Sequence, residues 1–202
     1  YYQEKIIYLP NSFMPTDNTR KISDTMMTRE DMGLPENGFV FCCFNNTKSR
    51  SNKIRVGYFS ADFRDHPVSC QISKVLALHD RSKIEVYAYS FGQADDDMRK
   101  RIISAVDHFK DVTDMSDKDV ALLAREDKID IAIDLMGYTK GSRPQIFAHR
   151  AAPIQIHLFG GTTGASYMDY SIGDHTIIPD RLRQYYQEKI IYLPNSFMPT
   201  DN

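Results

Sequence analysis

Polar and titratable side chains cluster in segments that follow predicted strands. These segments supply His66, Tyr138, Thr139, Lys140, Thr162 and Thr163. A titratable imidazole, an ammonium group and backbone N–H groups exposed at glycines together suit a phosphorylated or sugar ligand. Because the carboxyl ends of parallel strands meet at one edge of a sheet, we expect these segments to line a common crevice, with His66 and the glycine turn near Gly161 on neighbouring strands.

His66 has the most informative position among these residues. It follows the β-branched and aromatic run Ile54–Ser60 (IRVGYFS) and precedes Pro67, a residue that suits the first turn of a helix. His66 is therefore expected at the carboxyl end of a strand and at the amino end of a helix, where α/β proteins commonly bind ligands. The alternative is a structural role, because strand ends need polar turn residues in any case.

Several other sequence patterns do not match a known functional motif. The glycines of GGTTGAS do not form G-x-G-x-x-G, and neither a P-loop nor G-x-S-x-G occurs. Asp95 and Asp97 resemble a D-x-D metal site, but acids before a predicted helix more simply favour its N-terminal dipole. Cys and His residues lack zinc-ligand spacing, so no metal is predicted. His157 is predicted as a packed or half-exposed residue within a strand.

Strand and helix signals alternate from Lys53 onward, a pattern typical of a parallel α/β sheet. The predicted strands are Ile54–Ser60, Ile84–Phe91, His108–Val112, Ile129–Met136, Pro153–Phe159 and a final strand within Glu188–Leu193. The segment Tyr170–Ile178 leads to this final strand. The predicted helices are Val68–Asp80, Asp95–Val106, Asp117–Asp127 and Ser142–Arg150. The strand Ile129–Met136 is the most hydrophobic, which places it at the centre of the predicted sheet.

Composition indicates an ordinary globular protein of one or two domains. The 202 residues are 42% hydrophobic and 26% charged, and the formal net charge is −2. This charge argues against a dedicated nucleic-acid binder, and no apolar run is long enough to span a membrane. Three cysteines without a disulfide pattern, and no signal-peptide pattern after Tyr1, predict a reduced, cytoplasmic setting.

The two ends of the chain are identical in sequence. Residues 1–18, YYQEKIIYLPNSFMPTDN, recur at positions 185–202. A single identical copy of this length is unlike a solenoid, whose repeats are shorter, diverged and more numerous. The duplication is expected both in a rearranged or fragmentary gene product and in an engineered permutant with overlapping ends. If the first copy docks on a neighbouring chain, the duplicated segment would make homo-oligomers.

Four passages resemble the catalytic region of the O-linked N-acetylglucosamine (O-GlcNAc) transferase family, which includes SPINDLY-type relatives. They are RVGYFSADFRDHPV (Arg55–Val68), DLMGYTKGSRPQIFAHRAAPIQ (Asp134–Gln155), GTTGASYMDY (Gly161–Tyr170) and GLPENGFVFCCFNN (Gly33–Asn46). The resemblance implies a B-type glycosyltransferase fold, in which two Rossmann-like lobes hold the substrates between them.

The resemblance also implies a division of the chain into segments. Residues 53–184 correspond to the first catalytic lobe, a Rossmann-like parallel sheet flanked by helices. Residues 1–48 correspond to a short α/β fragment that starts the second lobe, with a joint at 49–52, and residues 185–202 form the exit segment that repeats 1–18. Pieces of the two lobes would thus occur in swapped order.

The reaction implied by the resemblance transfers N-acetylglucosamine (GlcNAc) from UDP-GlcNAc to Ser or Thr hydroxyls of proteins, without metal or other cofactor. The family histidine beside the acceptor and the sugar corresponds to His66, as a base or to orient the hydroxyl. The implied donor-binding residues are Phe159, Gly160, Gly161, Thr162, Thr163, Asn46 and Lys48. Tyr138, Thr139 and Lys140 are further candidates for the cleft.

The chain differs from the family pattern at points that bear on function. Its glycine-rich loop reads GGTTG where the family usually has GYPGTTG, and Cys70 stands where a second histidine is common. Much of the second lobe has no counterpart, so we expect little or no turnover from this polypeptide alone. The sugar would be GlcNAc or, as in some SPINDLY relatives, fucose. A non-catalytic interaction or scaffold domain that keeps the fold is the alternative function.

Overall fold

The structure, a computed structural model, describes residues 53–159, 161–194 and 196. The predictions for the fragment 1–48 and the joint 49–52, including those for Asn46 and Lys48, lie outside the described residues. So does the prediction for Gly160.

In the described part of the chain, seven strands form one parallel sheet. Their bounds are β1 Ile54–Ser60, β2 Ile84–Ser90, β3 His108–Asp111, β4 Ile131–Asp134, β5 Ile154–His157, β6 Tyr170–Gly173 and β7 Lys189–Tyr192. The spatial order is β3-β2-β1-β4-β5-β6-β7. The predicted Rossmann-like sheet is confirmed, and β4 lies at its centre as its hydrophobicity indicated.

Helices connect all successive strands of the described sheet except β5 and β6. They are α1 Pro67–Leu78, α2 Asp97–Ser104, α3 Asp117–Glu126, α4 Gln145–Ala148 and a 3₁₀-helix at Asp180–Tyr185. The side chains of Asp96 and Ser116 cap α2 and α3 by accepting backbone N–H groups. Among the described residues, no helix has both the length and the apolar character that a membrane span needs.

Two elements differ from the sequence-based predictions. Helix α4 covers only part of the predicted Ser142–Arg150, because Ser142 closes a turn onto Thr139 and Arg150 leaves the helix with φ +59°. Strand β6 was not predicted as a separate element. It pairs with β5 at only two positions and with β7 at four, so long-range pairing rather than local pattern creates it.

The sheet separates two hydrophobic layers. Phe59 faces the layer beneath α3 and α4, where its ring stacks on Tyr89 with centroids 4.5 Å apart. Tyr58 and Ile133 face the opposite layer, together with α1 and α2. Burial on both faces explains why the central strands carry nearly continuous apolar sequence.

A buried amide joins β5 to the segments on either side of it. Gln155 is fully buried, and its Oε1 accepts the backbone N–H of Ala151 at 2.9 Å. Its Nε2 donates to the carbonyls of Phe147 at 2.9 Å and Tyr167 at 2.7 Å. One side chain thus satisfies three backbone groups that have little access to water.

Replacing Gln155 with Leu is expected to destabilise the protein by about 3 kcal/mol or more, since each buried polar group left unpaired costs about 1–3 kcal/mol. Urea unfolding followed by circular dichroism measures the change. Gln187→Leu, at an exposed position, is the matched control and should change the free energy of unfolding by less than about 0.5 kcal/mol. Equal effects of the two substitutions would contradict this account of the Gln155 network.

Candidate functional site

A cavity of about 880 Å³ lies beyond the carboxyl ends of β1, β2, β4 and β5. This volume is in the range of small-molecule sites. The predicted site residues that the structure describes all line it: His66, Tyr138, Thr139, Lys140, Phe159, Gly161, Thr162 and Thr163. The common crevice predicted for the strand ends is therefore present, and we call it the cleft.

The strands that lead to His66 and Gly161 are not neighbours, contrary to the simplest expectation. His66 follows β1 and Gly161 follows β5, and the central strand β4 lies between them. The two residues nevertheless line the same cleft.

The ends of β1 and β2 approach each other closely at Gly92. A Cβ atom on Gly92 would lie 1.9 Å from the carbonyl oxygen of Ala61, so only glycine allows the ends of these two strands to come this close.

His66 is the N-cap of α1, as its position before Pro67 predicted. Its Nδ1 accepts the backbone N–H of Val68 at 3.3 Å and lies 3.6 Å from a carboxylate oxygen of Asp62. About a third of the side chain is exposed. A neutral imidazole that accepts at Nδ1 carries its proton on Nε2. In this orientation, neutral His66 offers a hydrogen-bond donor, which suits orienting a ligand group better than abstracting a proton.

Asp62 organises the start of this segment. Its carboxylate accepts from Arg64 at 2.9 Å, and its backbone N–H donates to the Ser60 hydroxyl at 2.9 Å. The Ser69 hydroxyl donates to the Asp62 carbonyl at 2.6 Å, which ties the first turn of α1 to the end of β1. The backbone that carries His66 is thus fixed on both sides.

The glycine-rich loop is held from beneath by Glu188, a residue that the sequence analysis did not identify. Glu188 is only 4% exposed, and its carboxylate accepts from the Thr162 hydroxyl at 2.8 Å and from the Thr163 backbone N–H at 2.6 Å. The Thr163 hydroxyl donates to it as well. Burial raises the pKa of Glu188, but these donors outweigh burial and leave the pKa below its ordinary value.

The loop after β4 reaches across to the glycine-rich loop. The Tyr138 hydroxyl donates to the Thr163 carbonyl at 2.8 Å, and the Thr139 hydroxyl donates to the Met136 carbonyl at 2.9 Å. Lys140 is exposed at the edge of the cleft. Phe159 has φ +62°, a left-handed backbone conformation that is strained for an aromatic residue and that recurs at functional sites.

A histidine and an aspartate form a buried pair in the wall of the cleft. The Nδ1 atom of His157 lies 3.2 Å from Oδ2 of Asp134, and each residue is 6% exposed. His157 was predicted as a packed or half-exposed strand residue; it is indeed buried in β5, but it also lines the cleft. Its partner is 23 residues away in sequence, so no local signal marked the pair.

No group of three or more His, Cys, Asp or Glu side chains in the described ranges is placed to hold a metal ion. The polar side chains that line the cleft are hydroxyls, two imidazoles, the Gln93 amide, the Asp62 carboxylate and the cationic groups of Arg64 and Lys140. These groups suit a neutral or anionic ligand rich in oxygen.

Comparison with known proteins identifies several similar to this chain. The family model described as glycosyl transferase family 41 matches residues 45–202. A probable UDP-N-acetylglucosamine–peptide N-acetylglucosaminyltransferase of Arabidopsis thaliana, SEC, is 41% identical over 152 residues, which cover 74% of this chain and 16% of that protein. The UDP-N-acetylglucosamine–peptide N-acetylglucosaminyltransferase of Caenorhabditis elegans is 38% identical over 154 residues, 74% of this chain and 13% of that protein.

The fold has a counterpart among solved structures. A mutant of the O-GlcNAc transferase of Thermobaculum terrenum superposes with a TM-score of 0.69 at 33% sequence identity. The superposition covers 73% of this chain and 29% of the bacterial protein. The chain therefore spans only a minor part of the length of the relatives that it matches.

Replacing His66 with Ala is expected to lower the free energy of unfolding by about 1 kcal/mol, because the helix loses its N-cap. His66→Asn should restore most of this stability, since asparagine caps helices well. Chemical denaturation of the two variants measures the difference. If both variants are equally destabilised, or neither is, the capping role is wrong.

Replacing Glu188 with Gln should remove stability that the wild type has at neutral pH. Because the folded-state pKa is lowered, this contribution is present above the unfolded pKa of about 4.3 and is lost as the pH falls through the folded-state value. Unfolding curves between pH 7 and pH 3 should show the largest difference from wild type at pH 7 and convergence in acid. Glu126→Gln, an exposed control, should show no such pattern; a difference that is constant with pH would contradict the assignment.

Proposed function

We propose that this chain, which belongs to glycosyl transferase family 41, forms the part of a protein O-glycosyltransferase that binds a UDP-sugar and presents it to a Ser or Thr hydroxyl. The observation that carries the proposal is that His66 and the glycine-rich loop, which lie in separate matched passages, line one cleft. The donor is proposed to be UDP-GlcNAc, as in the names of the relatives in Arabidopsis thaliana and Caenorhabditis elegans.

The proposed roles follow from the groups that each segment offers. Gly161, Thr162 and Thr163 form the wall of the proposed sugar pocket, and Glu188 fixes this wall by accepting from both threonine hydroxyls and from the Thr163 backbone N–H. His66, with its Nε2 proton, is proposed to orient a substrate oxygen rather than to act as the base. The ammonium group of Lys140 would lie near the diphosphate, where positive charge stabilises a leaving UDP.

The proposed reaction uses no metal. An acceptor hydroxyl oxygen bonds to the anomeric carbon and its proton is released to solvent, while the bond from that carbon to the β-phosphate oxygen breaks and UDP leaves with the electron pair. Positive groups must then stabilise the charge that grows on the diphosphate. The chain spans 13–16% of the length of the two relatives. We therefore propose that the chain alone binds UDP-GlcNAc but gives little or no transfer of the sugar.

Gly161→Ala tests the proposed donor site directly. A Cβ atom at this position would have its nearest contact at 3.9 Å, from His157, so the fold accommodates the methyl group while the cleft becomes smaller. UDP-GlcNAc should raise the melting temperature of the wild type, as a ligand that binds only the folded state must. The variant should melt within about 2 °C of the wild type without ligand and bind UDP-GlcNAc at least about tenfold more weakly.

Ser166→Ala is the matched control, at an exposed position that does not line the cleft. It should leave the UDP-GlcNAc affinity unchanged. A wild type that neither UDP nor UDP-GlcNAc stabilises would contradict the proposal and favour a non-catalytic scaffold. Equal binding by the wild type and Gly161→Ala would place the ligand outside the cleft.

A further inference from the structure

The buried pair Asp134–His157 spans two adjacent parallel strands at the edge of the cleft. The residues are directly opposite each other in the register of β4 and β5, so their side chains extend from the same face of the sheet. The Nδ1 atom of His157 and Oδ2 of Asp134 are 3.2 Å apart. The imidazole is therefore oriented by a carboxylate, as in sites where histidine handles protons or hydroxyls.

The other contacts of Asp134 determine which nitrogen of His157 carries the proton. Its Oδ1 accepts the backbone N–H of Met136 at 2.9 Å, and its Oδ2 accepts the backbone N–H of Gly137 at 2.9 Å. A carboxylate that receives two N–H groups acts as an acceptor toward the imidazole as well. His157 then donates from Nδ1, and in the neutral ring the lone pair is on Nε2.

Two glycines leave Nε2 of His157 accessible from the cleft. A Cβ atom on Gly137, which has φ +57°, would lie 2.9 Å from Cε1 and 3.4 Å from Nε2 of His157. A Cβ atom on Gly161 would lie 3.9 Å from Nε2. Within the described residues, the side chain of His157 has no hydrogen bond other than the one to Asp134. A polar side chain that is 92% buried thus directs an unpaired acceptor toward a ligand-sized cavity.

We propose that Nε2 of His157 accepts a hydrogen bond from a hydroxyl group of the ligand in the cleft, and that Asp134 is its positioning residue. The inference rests on the proposed function, which offers such hydroxyls from two sources, the sugar and the Ser or Thr acceptor. The two imidazoles of the cleft then have complementary roles. His66 offers a donor, because its Nδ1 accepts from the Val68 backbone, whereas His157 offers an acceptor.

Nuclear magnetic resonance of the ¹⁵N-labelled imidazoles of the 202-residue chain tests the proposal. A His157→Asn variant assigns the signals, and His175→Asn, which removes an exposed ring, is the matched control. Without ligand, His157 should show a proton on Nδ1 and a bare Nε2. This measurement on the wild type does not depend on whether a variant folds. A ring with its proton on Nε2 would overturn the inference.

Titration with defined probes distinguishes the two sources of the hydroxyl. If the sugar supplies it, UDP-GlcNAc should shift the Nε2 signal and UDP should not. If the acceptor supplies it, UDP with a serine peptide should shift the signal, and UDP with the alanine counterpart should not. In the sugar case, His157→Asn should weaken UDP-GlcNAc binding about threefold to tenfold and leave UDP binding unchanged, the range for one hydrogen bond.

Failure of this inference and failure of the proposed function give different results. If UDP-GlcNAc shifts the backbone signals of Thr162 and Thr163 but no probe shifts Nε2 of His157, the inference is wrong and the donor site remains. If no probe shifts any residue of the cleft, the proposed function is wrong and the inference falls with it.

Discussion

The geometry of the cleft depends most on the contacts that the carboxylate of Asp134 makes. This carboxylate lies at the end of the central strand, where it accepts two backbone N–H groups of the following turn and contacts His157 on the neighbouring strand. A carboxylate that is 6% exposed needs such partners, because burying an unpaired charge is very costly. The Asp134 carboxylate therefore couples the conformation of the turn after β4 to the orientation of the His157 ring and to the shape of the cleft wall.

The adjoining glycine-rich loop is fixed by a second buried carboxylate from a distant part of the chain. Glu188 precedes β7, yet it fixes Thr162 and Thr163 after β5. These hydrogen bonds give the loop a defined position at Thr162 and Thr163. Glu188 belongs to the segment 185–202 that duplicates the N-terminus, so this segment positions the candidate sugar loop.

The alternation of strands and helices could be predicted because each central strand is apolar on both faces and the three longest of the described helices begin at recognisable side-chain caps, His66, Asp96 and Ser116. The cap position of His66 followed from Pro67 in the same local way. The order of strands had no local signature, so the separation of β1 from β5 by β4 was missed. For the same reason, β6, Glu188 and the His157–Asp134 pair depend on contacts between residues far apart in sequence. The prediction of donor-binding roles for Asn46, Lys48 and Gly160 stays a prediction.

The central claim is that the edge of the sheet formed by β1, β4 and β5 holds a UDP-sugar. A crystal structure of the chain grown with UDP-GlcNAc tests this most directly. The account predicts the sugar between His66 and the loop of Thr162 and Thr163, with the diphosphate toward Lys140. A nucleotide bound elsewhere on the chain, with the cleft filled only by water, would contradict it.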